Sequence, residues 1–142
     1  MNEMNPYRKL GVKNILLVGD DPWTRDSLSL FFQIEGCRLQ SAASATEAVA
    51  ALAGDRFDMI LCELSLPDMD GLTLLKRYGN LQPAAVKFLI SAHPIPPLVE
   101  EAGRYGIHDV IRKPLTVETL EKSLMRCLPQ SRDDAREPAE VK

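Results

Sequence analysis

Hydrophobic and polar positions along this chain fall into two alternating periods. Short strand-like runs, NILLVG (14–19), CRLQSA (37–42), FDMILC (57–62), AAVKFLIS (84–91) and IHDVIR (107–112), are separated by stretches whose apolar residues recur every three or four positions. Runs of the first kind suit strands, some buried on both faces, and the stretches between them suit helices with one apolar side. Their alternation predicts a parallel sheet covered by helices.

The helix ends carry their own signals. Asp21 and Pro22 stand where an N-cap and first helical residue belong, Leu28, Phe31 and Phe32 follow at helical spacing, and Gly36 terminates. Ser44 and Glu47 have capping-box spacing before the stripe Ala45, Ala48, Val49 and Leu52, which Gly54 closes. Asp70 and Gly71 open a third helix with Leu72, Leu75 and Tyr78, ending near Gly79. Pro94, Pro96 and Pro97 delay a short fourth helix to about Pro97, with Leu98, Ala102 and Tyr105 as its stripe. A last helix from Thr116 turns Val117, Leu120, Leu124 and Leu128 inward. Five strand-helix units with right-handed crossovers give a doubly wound open sheet. The predicted organisation is an extension over 1–13, one domain over 14–129, and a polar, aperiodic and disordered tail over 130–142.

Composition removes several function classes. A chain of 142 residues buries enough surface to need no staple, and a net charge of −3 without a Lys/Arg run argues against nucleic acid as a partner. The odd set Cys37, Cys62 and Cys127, with no apolar leader segment, predicts reduced thiols in a cytoplasmic protein. No apolar run has the length to span a bilayer.

In doubly wound sheets the working site lies beyond the carboxyl ends of the strands. The residues expected there are Gly19, Asp20 and Asp21 after the first strand, Glu63, Leu64 and Ser65 after the third, Ser91 ending the fourth, and Lys113 with Pro114 after the fifth. Asp20 and Glu63 on neighbouring strand ends repel unless a cation or Lys113 neutralises them, and oxygen donors of this kind suit Mg²⁺. An ammonium, a hydroxyl and a divalent ion together could stabilise a phosphoryl group in transfer.

The ordered strings ILLVGDDP, LPDMDG, LISA and IRKP resemble the CheY-like receiver domain of two-component response regulators, over roughly Asn14 to Leu128. The resemblance implies a flavodoxin-like sheet of order 2-1-3-4-5. It implies a phosphoryl group passing from a histidine kinase to an acceptor at position 63, and Mg²⁺ held by Asp20, Glu63 and the backbone carbonyl of Ser65. In the same pattern Asp21 borders the pocket, Ser91 supplies the hydroxyl and Lys113 the ammonium. Output passes through the face of the fourth helix, fifth strand and fifth helix, with Ser91, Tyr105, Val110 and Val117, and the same face offers a route to a homodimer. With no DNA-binding or enzymatic domain expected after Leu128, the output is expected to be contact with a protein, a kinase or a downstream effector, and not catalysis.

Three positions depart from the family pattern: Glu63 replaces the acceptor aspartate, Gly19 replaces one of the acidic pair, and Val110 replaces the switch aromatic. One extra methylene adds roughly 1.5 Å of reach, enough for Glu63 to meet Lys113 in place of a phosphoryl group. The expected result is weakened Mg²⁺ binding and impaired phosphotransfer, with a pocket biased without phosphate; an inert pocket and a working phosphoacceptor are the alternatives. Plainer roles compete residue by residue: Asp21 and Asp70 as N-caps, Asp58 as a solvated acid, Cys62 as a packed thiol, and Trp23 near the pocket mouth or on helix surface. A dehalogenase-type phosphatase needs a spacer between its first two aspartates, which DDP lacks, and a flavodoxin-like nucleotide site needs a phosphate loop that Asp20 and Asp21 would repel.

Overall fold

Strands and helices alternate in the computed structural model, which describes Tyr7 and residues 10–127. They run β1 (Asn14–Val18), α1 (Pro22–Ile34), β2 (Arg38–Ala42), α2 (Ala45–Gly54), β3 (Met59–Glu63), α3 (Gly71–Tyr78), a 3₁₀ turn (Gly79–Leu81), β4 (Val86–Ser91), α4 (Pro96–Arg104), β5 (Asp109–Arg112) and α5 (Val117–Cys127). The expectations for Leu128, for the tail and for most of the first nine residues lie outside the described residues. The sheet has five parallel strands in the order β2-β1-β3-β4-β5, the arrangement the resemblance implies.

Strand parity divides the core in two, because successive side chains point to opposite faces. Leu16, Val18, Ile60, Cys62, Leu89 and Val110 pack under α2, α3 and α4. Ile15, Leu17, Met59, Leu61, Phe88, Ile90 and Ile111 pack under α1 and α5. The second layer reaches back to Tyr7, whose buried ring meets Phe31 and Phe32 edge-on at 5.9 and 5.0 Å. Tyr7 and Val12 thus belong to the core although no period in the first dozen residues announces them.

Capping follows the sequence closely. Asp21 Oδ1 accepts from Trp23 N–H at 3.1 Å, and Asp70 Oδ1 accepts from Thr73 N–H at 2.7 Å. In α2, Glu47 N–H donates to Ser44 Oγ, while Glu47 Oε1 accepts from Ala43 N–H, one residue before the cap itself. Asp58, expected to need only solvent, instead accepts from the N–H groups of Lys13 and Asn14, both at 2.9 Å, and fixes the start of β1. The fourth helix begins one residue earlier than its prolines suggested and ends at Arg104, so Tyr105 leaves the helix and stays exposed instead of completing the buried stripe.

The segment between β3 and α3 is pinned at two points. Asp68 accepts from Ala45 N–H at 2.8 Å, Thr46 N–H at 2.9 Å and Thr46 Oγ at 2.7 Å, holding the loop against the N-terminus of α2. The Thr46 hydroxyl first, then the two N–H groups, bring its carboxyl down to about 2. At the other end Gly71 N–H donates to Leu64 O at 2.7 Å. A Cβ at Gly71 would lie 2.1 Å from Glu63 O and 2.9 Å from Cys62 Sγ, so only glycine lets α3 start this close to β3.

Gly71→Ala is therefore expected to destabilise the fold by about 1–3 kcal/mol or more, whereas Gly54→Ala, with nothing within 4 Å of its added Cβ, is expected to be neutral or slightly stabilising. Paired urea titrations measure both. A second prediction concerns acid: because folding lowers the Asp68 pKa, its contribution is present above the ordinary carboxylate value and is lost as pH falls toward about 2. The stability gap between the parent and Asp68→Asn should be constant near neutral pH and close progressively across that acid window, as followed by thermal melts at a series of pH values.

Candidate functional site

The register of the sheet determines which side chains can meet at its carboxyl edge. Val18 lies beside Cys62 across β1 and β3, so one residue further Gly19 comes beside Glu63, and parity gives both the α1/α5 face of the sheet. Lys113 follows Ile111 by two residues and shares that face, while its N–H donates to Ser91 O at 2.9 Å and ties the end of β5 to β4. The peptide bond from Lys113 to Pro114 is cis.

Glu63 and Lys113 form an ion pair across this edge, Oε1 to Nζ 3.2 Å, with the glutamate side chain 8% exposed and the lysine 41%. The other carboxylate oxygen leans toward β1: a Cβ on Gly19 would fall 2.7 Å from Glu63 Oε2 and 2.9 Å from its Cγ and Cδ. Glu63 thus spans from the edge of β1 to the lysine beyond β5. A carboxylate this buried needs such a partner, since an unpaired charge removed from water is costly.

The remaining predicted residues gather less tightly. Asp20 is exposed. Asp21 is engaged as the cap of α1, its second oxygen accepting from Thr24 Oγ at 2.8 Å. That hydroxyl, then the Trp23 and Thr24 N–H groups and the charge of Lys113, hold its carboxyl below the usual range. Ser91 is buried, and its Oγ accepts from His93 N–H at 3.0 Å within its own loop. Ser65 is exposed beyond β3. Cys62 packs inside the sheet, where burial pushes its thiol up, with the Glu63 charge adding to the effect. His108 Nδ1 accepts from Lys87 N–H at 3.2 Å, an arrangement of strand packing.

The expected output face is only partly a surface. Tyr105 is exposed, and Lys76 Nζ stands 4.7 Å from its ring centroid while also pairing with Glu101. Val117 is half-buried against the α1/α5 core. Val110, expected on that face, is a core residue under α4, because β5 turns it toward the layer of Leu89 and Ala102. Trp23 is 85% exposed on the first turn of α1, the helix-surface alternative.

The residues present do not fit a divalent cation of the kind the resemblance implies. Gly19 brings no carboxylate, Glu63 Oε1 is on Lys113, and Asp21 is committed to its cap. No cluster of three or more His, Cys, Asp or Glu side chains able to hold a metal occurs among the described residues. Two residues of this region escaped the sequence reading, Asp68 and Gly71 as a close-approach glycine. The signal for Asp68 was there: LPDMDG carries two acids and only one helix start of its own.

Residues 15–125 match the family model described as the response regulator receiver domain. The chain is 31% identical over 113 residues to the C4-dicarboxylate transport transcriptional regulatory protein DctD of Rhizobium meliloti, covering 80% of this chain and 25% of that protein. Across several curated relatives the chain spans between a quarter and somewhat over a third of their length. Among solved structures, the CheY-like receiver domain protein of Methanospirillum hungatei superposes with a TM-score of 0.71 at 28% identity, over 81% of this chain and 95% of that one. A chain of the CheX-CheY-BeF3-Mg²⁺ complex from Borrelia burgdorferi superposes with a TM-score of 0.73 at 28% identity, over 84% of this chain and 92% of that one. Among the described residues no helix is long and apolar enough to cross a membrane. With its sheet order, its strand-edge residues and these matches in agreement, the chain belongs to the response regulator receiver domain family of two-component signalling.

Proposed function

We propose that this chain is a receiver whose acceptor position is Glu63, that the ion pair of Glu63 with Lys113 takes the place of phosphoryl chemistry, and that signalling proceeds through protein contact without phosphate. The observation that carries this reading is the 3.2 Å pair between a buried carboxylate and the lysine that would otherwise meet a phosphoryl oxygen. An attacking carboxylate oxygen has to be free and in line, and a misplacement of about 1 Å costs on the order of 100-fold. Here one oxygen is held by Lys113 and the other lies against Gly19. Val110 supplies no ring to swing as the pocket changes, which supports a fixed state over a switching one.

Receiver domains interact with kinases and effectors. For this chain we assign output to the face around Tyr105 and Val117, with a histidine kinase or downstream effector as the partner class and no catalytic turnover of its own. The alternative of a working phosphoacceptor keeps a direct test. With acetyl phosphate and Mg²⁺, a competent acceptor attacks phosphorus through a carboxylate oxygen and releases acetate, leaving an acyl phosphate. Intact mass of the treated parent should show no adduct, and its amide NMR spectrum should not move on adding beryllium fluoride with Mg²⁺; an adduct that disappears in Glu63→Gln overturns the reading.

The pair also predicts an asymmetry in stability. Lys113→Met strands a buried carboxylate, while Glu63→Gln leaves a lysine that already reaches water. Lys113→Met should therefore cost more, roughly 1–3 kcal/mol once its partial exposure is allowed for, and Glu63→Gln clearly less, as read from denaturant midpoints.

A further inference from the structure

Gly19 invites an ordinary explanation that its geometry does not support. Glycine is required where φ is positive, and the positive-φ glycines of the described residues are Gly11, Gly36 and Gly106. Gly19 instead continues the ladder of β1, buried, with its N–H donating to Ala42 O at 2.8 Å. Any residue could adopt that backbone. What another residue would disturb is the neighbour, because the first side-chain atom added at position 19 would stand 2.7 Å from Glu63 Oε2 and 2.9 Å from Cγ and Cδ, so the glutamate would have to swing out of its present seat.

We propose that Gly19 is a positioning residue for Glu63: the two departures from the receiver pattern are one interlocked unit, in which the empty volume at position 19 seats the longer carboxylate, directs it onto Lys113 and excludes a divalent cation. The inference rests on the reading of Glu63 as a replacement for phosphoryl chemistry, and it adds what that reading leaves open. Glu63 has a methylene more than an aspartate, and the surplus has to go somewhere. On the β4 side its ladder neighbour is Ile90, a buried core residue. Toward β1 the side chain finds the missing Cβ of Gly19, packs Cγ and Cδ there, and presents Oε1 to Lys113 at 3.2 Å.

Two consequences follow that a turn or filler glycine would not have. Substitution at position 19 has to act through Glu63, so its effect must shrink when residue 63 carries no atom beyond Cβ. Restoring an aspartate at position 63 alone has to leave the metal site incomplete, because the second carboxylate is still missing. Asp20 remains the neighbouring acid, exposed, and cannot by itself replace both donors.

A double-mutant cycle tests the interlock with the full chain. Gly19→Ala in the parent should lower the melting temperature by about 2 °C or more, and the same change beside Glu63→Ala, which removes Cγ, Cδ and the carboxylate, should lower it by less than half as much, since contacting residues couple. If Gly19→Ala alone does not fold, recovery of folding in the Gly19→Ala/Glu63→Ala pair supports the interlock and failure to recover overturns it. The second arm titrates Mg²⁺, followed by amide NMR and calorimetry. The parent should show no saturable binding, Glu63→Asp weak binding, and Gly19→Asp/Glu63→Asp binding at least about tenfold tighter than Glu63→Asp, on the count of carboxylate donors.

Additive melting shifts, or equal Mg²⁺ affinity for the single and double aspartate variants, overturn the interlock while leaving the silent pocket of the parent in place. Phosphorylation of the parent itself would instead remove the reading on which the interlock rests. The arms are therefore separable: the cycle reports on positions 19 and 63 together, and the parent's response to acetyl phosphate on Glu63 alone.

Discussion

A carboxylate at the end of a strand buried on both faces has to find a counter-charge, and for Glu63 the sheet offers Lys113. Much else at this edge follows from that requirement. The lysine must be held at the end of β5, which its backbone bond to Ser91 O achieves. The glutamate must be allowed to lie flat along the edge, which the missing side chain at position 19 permits. The site is thus organised by one short electrostatic contact that the ends of β1, β3, β4 and β5 cooperate to place.

This arrangement separates fold from chemistry in an instructive way. The elements that make a receiver a receiver, the parallel order, the two core layers and the capped helices, depend on apolar parity and on caps remote from Glu63. The elements that would make it a phosphoacceptor depend on a few oxygen atoms at the edge. Substitution among the latter acts on the edge and leaves the core packing intact, so a family match over residues 15–125 speaks to the fold and not to the details of the pocket.

Much of this was legible in the chain itself. Continuous apolar runs such as MILC announce strands buried on both sides, and Asp21 with Pro22, or Ser44 with Glu47, mark helix starts that the structure places within a residue. The approach of Glu63 to Lys113 was also legible, since both follow strands of known order and have the required reach. What could not be read were relations fixed by register and rotamer: that Gly19 comes beside Glu63 on the same face, that Asp58 binds the start of β1, that Asp68 reaches the N-terminus of α2. Tyr105 and Val110 were misjudged for a different reason. A helical stripe says nothing about where the helix stops, and a position aligned with a switch residue says nothing about whether a smaller side chain still reaches the surface.

The anchoring of the loop after β3 determines how independently the sheet edge can be altered. Asp68 fixes that loop to α2, and the N–H of Gly71 fixes it to Leu64 just past β3. A loop ordered in this way keeps its path when the acid at the end of β3 is exchanged, so substitutions at the sheet edge can be made one at a time without loosening the segment that frames them.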